Sequence, residues 1–155
     1  MSGQERARLE GTLALIKPDG YARRIEIEEM IMKEDFLLVE KKRLRFTREL
    51  AEEFYEEQKG QPFFRDLIDY MTSGDCMALC LAKDNGITHW KNMMGPSKVS
   101  EARKTASRSI RAVFGDSSND MKNAVHGSES PRSAGREIDL IFPSIIGDSE
   151  AGFII

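Results

Sequence analysis

CMALCLA, residues 76–82, is an unbroken apolar run, too short for an ordinary helix and without the alternation of a half-wet strand. It predicts a central strand buried on both faces. Such a strand needs partners beside it and helices against it. TLALI (12–16) is a second short apolar run, stopped by the turn residues Lys17-Pro18-Asp19-Gly20. FLLVEKKRLRF (36–46) is rich in β-formers and reads as a long, partly exposed strand. NAVHG (123–127) gives a short fourth.

Between these runs the apolar period changes. Ile27, Met30 and Ile31 form a helical stripe, as do Leu50, Ala51, Phe54 and Tyr55, closed by Gly60 and Pro62. Phe64, Leu67, Ile68 and Met71 mark a further helix ending near Gly74, and residues 86–94 another. GPSKVSEARKTAS (95–107) is a long polar segment to which the pattern assigns no element, and SIRAVFG (109–115) is a helical turn or two ended by glycine. Ser130-Pro131 supplies an N-cap and a first-turn proline for a helix running through Ile138, Ile141 and Phe142 to Pro143. The order β-α-β-α-α-β-α-β-α predicts an α+β sandwich with a small antiparallel sheet, and its connections permit a split βαβ arrangement.

The 155 residues fit one domain, expected over 11–145 with tails at 1–10 and 146–155. A composition of 40% hydrophobic and 32% charged residues is that of a globular protein in water. A net charge of −3 excludes a nucleic-acid binder driven by bulk charge, so no nucleic-acid partner is expected. Cys76 and Cys80 lie four strand positions apart, about 13 Å, too far for a disulfide. A reducing, cytoplasmic compartment is therefore expected. No stretch approaches the roughly 20 apolar residues of a membrane span, and MSGQERARLEG lacks the apolar core of a signal peptide.

The G-x-x-x-x-G-K-[ST] phosphate loop, G-x-G-x-x-G and H-R-D are all missing. What remains is a scatter of residues suited to polyphosphate: Lys17, Tyr55, Lys91, Ser97, Arg111, Asn123 and His126. Taken singly, each has an ordinary structural explanation, and His126 is a polar residue where a strand meets a loop. Their order along the chain connects them. ALIKPDG (14–20), FYEEQKGQPFF (54–64), GPS (95–97), SIRAVFG (109–115) and NAVHGSES (123–130) follow one another as in nucleoside diphosphate kinases. The chain resembles that family over nearly its whole length. Its long 95–111 segment is similar to the divergent members, including those in ciliary proteins.

The resemblance implies a ferredoxin-like βαββαβ core, a four-stranded antiparallel sheet with added helices. It implies ping-pong transfer of a terminal phosphate from a nucleoside triphosphate to a diphosphate, with magnesium held through the nucleotide phosphates. It further implies a homo-oligomer, hexamer or dimer, with no membrane partner and a cytoplasmic or ciliary location. Residue by residue, His126 matches the phosphorylated histidine and Glu137 the carboxylate that orients it. Lys17 and Tyr55 match groups near the transferred phosphate and ribose, and Asn123 a contact to the sugar hydroxyl. Lys91, Ser97 and Arg111 match the phosphate clamp, and Phe63 the aromatic on which the base stacks. Lys91 stands where the common enzymes carry arginine, Ser97 where they carry threonine and Gln61 where they carry arginine. Glu129 occupies a position that is acidic in those enzymes too. His89, beside Trp90, has no motif support and reads as structural.

These residue types suit the chemistry. Phosphoryl transfer asks for an in-line nucleophile and cations around the equatorial oxygens. An ordinary imidazole, with a pKa near 6.5, is mostly neutral at pH 7 and needs no separate base. Arginine offers a planar fork to two phosphate oxygens, whereas lysine is a point charge. Stacking on Phe63 accepts any base, because every base has a π-face.

Overall fold

The computed structural model describes residues 9–146. In chain order the elements are β1 (Leu9–Ile16), α1 (Arg24–Lys33), β2 (Leu37–Leu44), α2 (Arg48–Phe54), α3 (Phe64–Met71) and β3 (Cys76–Asp84). There follow α4 (Gly86–Met94), α5 (Val99–Thr105), α6 (Ile110–Phe114), β4 (Val125–Gly127), α7 (Pro131–Ile141) and α8 (Pro143–Ile146). The four strands form one antiparallel sheet in the order β2-β3-β1-β4. This is the expected ferredoxin-like core: β1-α1-β2 and β3-α4-β4 are its two halves, and the remaining helices are additions.

The apolar runs at 12–16 and 76–82 become the two inner strands, paired from Leu9↔Asp84 to Ile16↔Met77. Helices cover both of their faces, which is why neither run alternates. On one face Leu13, Leu15, Ala78 and Cys80 pack against Phe54, Leu67, Ile68 and Ile138 from α2, α3 and α7. On the other, Ile16, Leu79 and Leu81 pack against Ile27, Ile31, Trp90 and Met94 from α1 and α4. β2 lies at the sheet edge and is mostly exposed, as its charged sequence requires. Cys76 and Cys80 are free and buried, and burial pushes both thiols up to about 12.

Three boundaries differ from the sequence reading. β1 begins at Leu9, inside the expected 1–10 tail, because β3 extends to Asp84 and offers Leu9 and Glu10 ladder partners. The Glu10 carboxylate also accepts from the Ile87 N–H at 2.9 Å, securing the start of α4. The polar 95–107 segment contains α5, whose buried residues are Val99 and Ala102, two apolar side chains at helical spacing in a charged stretch. Arg103 on α5 donates to Ala112 O and Gly115 O at 2.9 and 2.8 Å, tying α5 to the end of α6. Beyond Pro143 the chain turns again as α8, so the expected tail at 146 begins inside an element. The rest of both tails lies outside the described residues. Among those residues no helix is long and apolar enough to cross a membrane.

Candidate active site

The site is built where β1 stops. Lys17 follows the last residue of β1, and its N–H donates to Ala124 O at 2.8 Å, joining the KPDG turn to the loop before β4. Asp19 holds the same loop: its carboxylate accepts from the Ala124 N–H at 3.0 Å and from the Tyr70 hydroxyl. A β carbon at Gly20 would stand 2.9 Å from Ala124 O, so glycine is what lets the two segments meet. Between these clamps Ala124 has φ of 74°, and the Val125 N–H donates to Asn123 O at 2.9 Å. This is a γ-turn in the strained, positive-φ form, costing on the order of 1–3 kcal/mol. It reverses the chain over one residue, so β4 starts its ladder at once while Asn123 sits behind Lys17. The Asn123 carboxamide then accepts from Lys17 Nζ at 2.8 Å and donates to Ser97 O at 2.9 Å.

His126 is the middle residue of β4, paired with Leu15. Its carbonyl accepts from the Trp90 indole at 3.2 Å. A β carbon at Gly127 would lie 2.5 Å from Trp90 Cδ1, so the small residue after the histidine lets α4 pack directly beneath β4. The imidazole rests against Phe54 and Tyr55, with ring centroids at 4.9 and 5.9 Å, and those two rings also touch each other at 5.0 Å. Its Nε2 meets Glu137 Oε1 at 3.0 Å, and Ser128 Oγ donates to the same oxygen at 2.9 Å. Ser128 in turn accepts from the Leu13 N–H at 3.2 Å, so β1 fixes the carboxylate through one hydroxyl. A carboxylate only accepts, which assigns the ring proton to Nε2 and leaves the Nδ1 lone pair open. Among the described residues Nδ1 has no hydrogen-bond partner.

Arg111, on α6, donates to Gly95 O at 3.0 Å and to Val125 O at 2.8 Å. Its Nε and the Tyr55 hydroxyl are buried without a partner. Burial raises the Tyr55 phenol above its usual range and lowers the Arg111 guanidinium to about 10. The Lys17 ammonium is lowered to about 8, first by burial and then by Arg111, against the opposing pull of Asp19. Two buried cations beside one space form a site suited to an anion.

That space is a cleft of about 860 Å³. Lys17, Tyr55, Phe63, Lys91, Ser97, Arg111, His126 and Glu137 all line it, while Asn123 stands behind the wall, bonded to Lys17 and Ser97. Phe63 lies at the rim with 43% of its surface exposed. His89 lies elsewhere, 2.9 Å from Glu34 and edge-on to Phe36. The sequence reading did not reach Phe54 as a wall of the histidine, the Asp19–Tyr70 clamp, or Arg136. Arg136 donates to Glu53 O and Phe54 O at 3.0 and 2.8 Å, capping α2 and so setting Tyr55. Its one visible signal is its place beside Glu137.

The buried lysine has a measurable consequence. Folding lowers its pKa from 10.5 to about 8, so between those values the unfolded chain binds more protons and stability from this group rises with pH. Urea titrations at pH 7.5 and 10 are expected to show native protein gaining about 2–3 kcal/mol relative to Lys17→Met. The difference between the two proteins isolates Lys17 from the phenols and thiols that titrate nearby. Parallel curves for the two proteins would contradict it.

Known proteins share this arrangement of chain. Residues 10–145 match the family model described as nucleoside diphosphate kinase. The chain is 39% identical over 138 residues to mouse (Mus musculus) nucleoside diphosphate kinase homolog 5, covering 89% of this chain but 64% of that protein. It is 42% identical to nucleoside diphosphate kinase 6 of Danio rerio, covering 87% of this chain and 77% of that one. Among solved structures, the Aquifex aeolicus nucleoside diphosphate kinase superposes with a TM-score of 0.83 at 40% identity, covering 86% of this chain and 95% of the other. Sequence, fold and extent agree, and the chain belongs to the nucleoside diphosphate kinase family.

Proposed function

We propose that this domain moves the terminal phosphoryl group of a nucleoside triphosphate to a nucleoside diphosphate through His126. The observation that carries the reading is the Glu137–His126 pair: Nε2 is held at 3.0 Å, and Nδ1 is left open in a cleft lined by Lys17 and Arg111. In the first half-reaction Nδ1 attacks the γ-phosphorus, and the bond from that phosphorus to the β,γ-bridging oxygen breaks. The diphosphate departs, and the positive charge gained by the ring is balanced by the Glu137 carboxylate. A second diphosphate attacks the phosphohistidine in the reverse sense and restores the lone pair. Lys17 and Arg111 neutralise the equatorial oxygens, and Phe63 at the rim accepts any base.

The cleft carries Lys17, Lys91 and Arg111, and its carboxylates form no cluster of three or more His, Cys, Asp or Glu that could hold a metal among the described residues. That donor set fits magnesium entering on the nucleotide, where it shields the phosphate charge.

The test is steady-state transfer from ATP to GDP in the presence of magnesium. Double-reciprocal plots at several GDP concentrations are expected to be parallel, the pattern of a covalent intermediate. Intersecting lines, or no GTP formed, would contradict the proposal. One observation favours a second reading, a nucleotide-binding domain without turnover: Lys91, a point charge, is already engaged by Glu129 at 2.9 Å. ADP binding without GTP formation would select that reading.

A further inference from the structure

Glu129 has no part in the chemistry above, yet its place is well defined. It lies in the turn between β4 and α7, and its N–H donates to Ser133 Oγ at 3.0 Å within the capping box of α7. Its main chain is thereby fixed, while its side chain, 77% exposed, reaches Lys91 Nζ on the last turn of α4 at 2.9 Å. Both residues line the cleft that holds His126. The carboxylate also acts on Arg111, raising a guanidinium that burial otherwise lowers.

The cations of the cleft are thus held differently. Lys17 is held by an asparagine carbonyl and Arg111 by two main-chain carbonyls, all neutral acceptors that a phosphate need not displace. Of the five lysines and arginines that line the cleft (Lys17, Lys91, Lys98, Arg111 and Arg136), Lys91 alone is paired with a carboxylate among the described residues, a full negative charge at the mouth of a site for anions.

We infer that Glu129 is an internal counter-anion, which occupies Lys91 while the cleft is empty and must release it when a nucleoside polyphosphate enters. The proposal rests on reading the cleft as a nucleotide site and adds an affinity-setting residue to it. A polyphosphate takes Lys91 only by displacing that exposed carboxylate from it. Glu129 therefore weakens nucleotide binding. An exposed pair of this kind contributes little, so the effect is modest: removing the charge should tighten binding by about two- to five-fold. Because the competition is for Lys91, the gain depends on Lys91 being present.

The experiment is a double-mutant cycle read by calorimetry of the whole chain with ADP and magnesium. Glu129→Gln is expected to bind ADP about two- to five-fold tighter than native protein. In a Lys91→Ala background the same change is expected to alter Kd by less than about 1.5-fold. Glu129→Gln binding no tighter, or gaining equally in both backgrounds, overturns the proposal while leaving the nucleotide site intact. A native protein that takes up no ADP at millimolar concentration overturns the nucleotide reading and this proposal together.

Discussion

Changing His126 to alanine is expected to lower ATP-to-GDP transfer by more than about 10⁴-fold while ADP still binds within about three-fold of native affinity. Removing a nucleophile removes the covalent route altogether, so the loss lies in kcat and has no upper limit set by a residual contact. Binding should survive because the groups proposed to meet the phosphates are elsewhere: Lys17 is anchored by Asn123, and Arg111 by Gly95 and Val125. The fold also survives, since the imidazole is held by one hydrogen bond and two ring contacts, while the main chain of β4 stays paired to β1. A coupled assay for GTP and calorimetry for ADP measure the two halves separately. Transfer within ten-fold of native would move the nucleophile to another residue.

Arg111→Ala is expected to lower kcat/KM by about 10²–10³-fold, the usual loss for one preorganised donor at a centre of developing charge. Here the donor is preorganised by main-chain carbonyls on two different segments, before α5 and within β4, at 3.0 and 2.8 Å. Its Nε is buried and unpartnered. Removing the fork orphans Gly95 O and Val125 O as well, and a stability loss of about 1–3 kcal/mol should accompany the kinetic one. Arg111→Lys restores the charge but cannot span both carbonyls, so it should recover only part of the rate. Michaelis parameters and urea midpoints for both variants check this. An alanine variant within three-fold of native kcat/KM would remove Arg111 from the transition state.

The central strands and the helical stripes were legible because burial on both faces leaves a continuous apolar run, and burial on one leaves a period. The position of α5 was not, since its two buried residues, Val99 and Ala102, are outnumbered by charges and its anchor is an arginine reaching main-chain oxygens. The site divides in the same way. His126, Lys17 and Arg111 carry side-chain chemistry in motif order, and all three meet in one cleft. The γ-turn at Ala124 leaves no mark in its own residue type; a positive φ there is imposed by Asp19 and Lys17, more than a hundred positions earlier in the chain. Likewise, Asp19 and Gly20 are readable as a turn, but their work is done on a distant loop. Pairing of this kind is written in three dimensions and becomes visible only when the fold brings the segments together.

The proposed transfer requires a covalent bond between His126 and phosphorus, and the direct measurement is phosphoenzyme trapping with ATP labelled at the γ-phosphate. Native protein is expected to retain label that survives alkali, is lost in acid and is discharged by any added nucleoside diphosphate, whereas His126→Ala retains none. Native protein that labels no better than His126→Ala would contradict it.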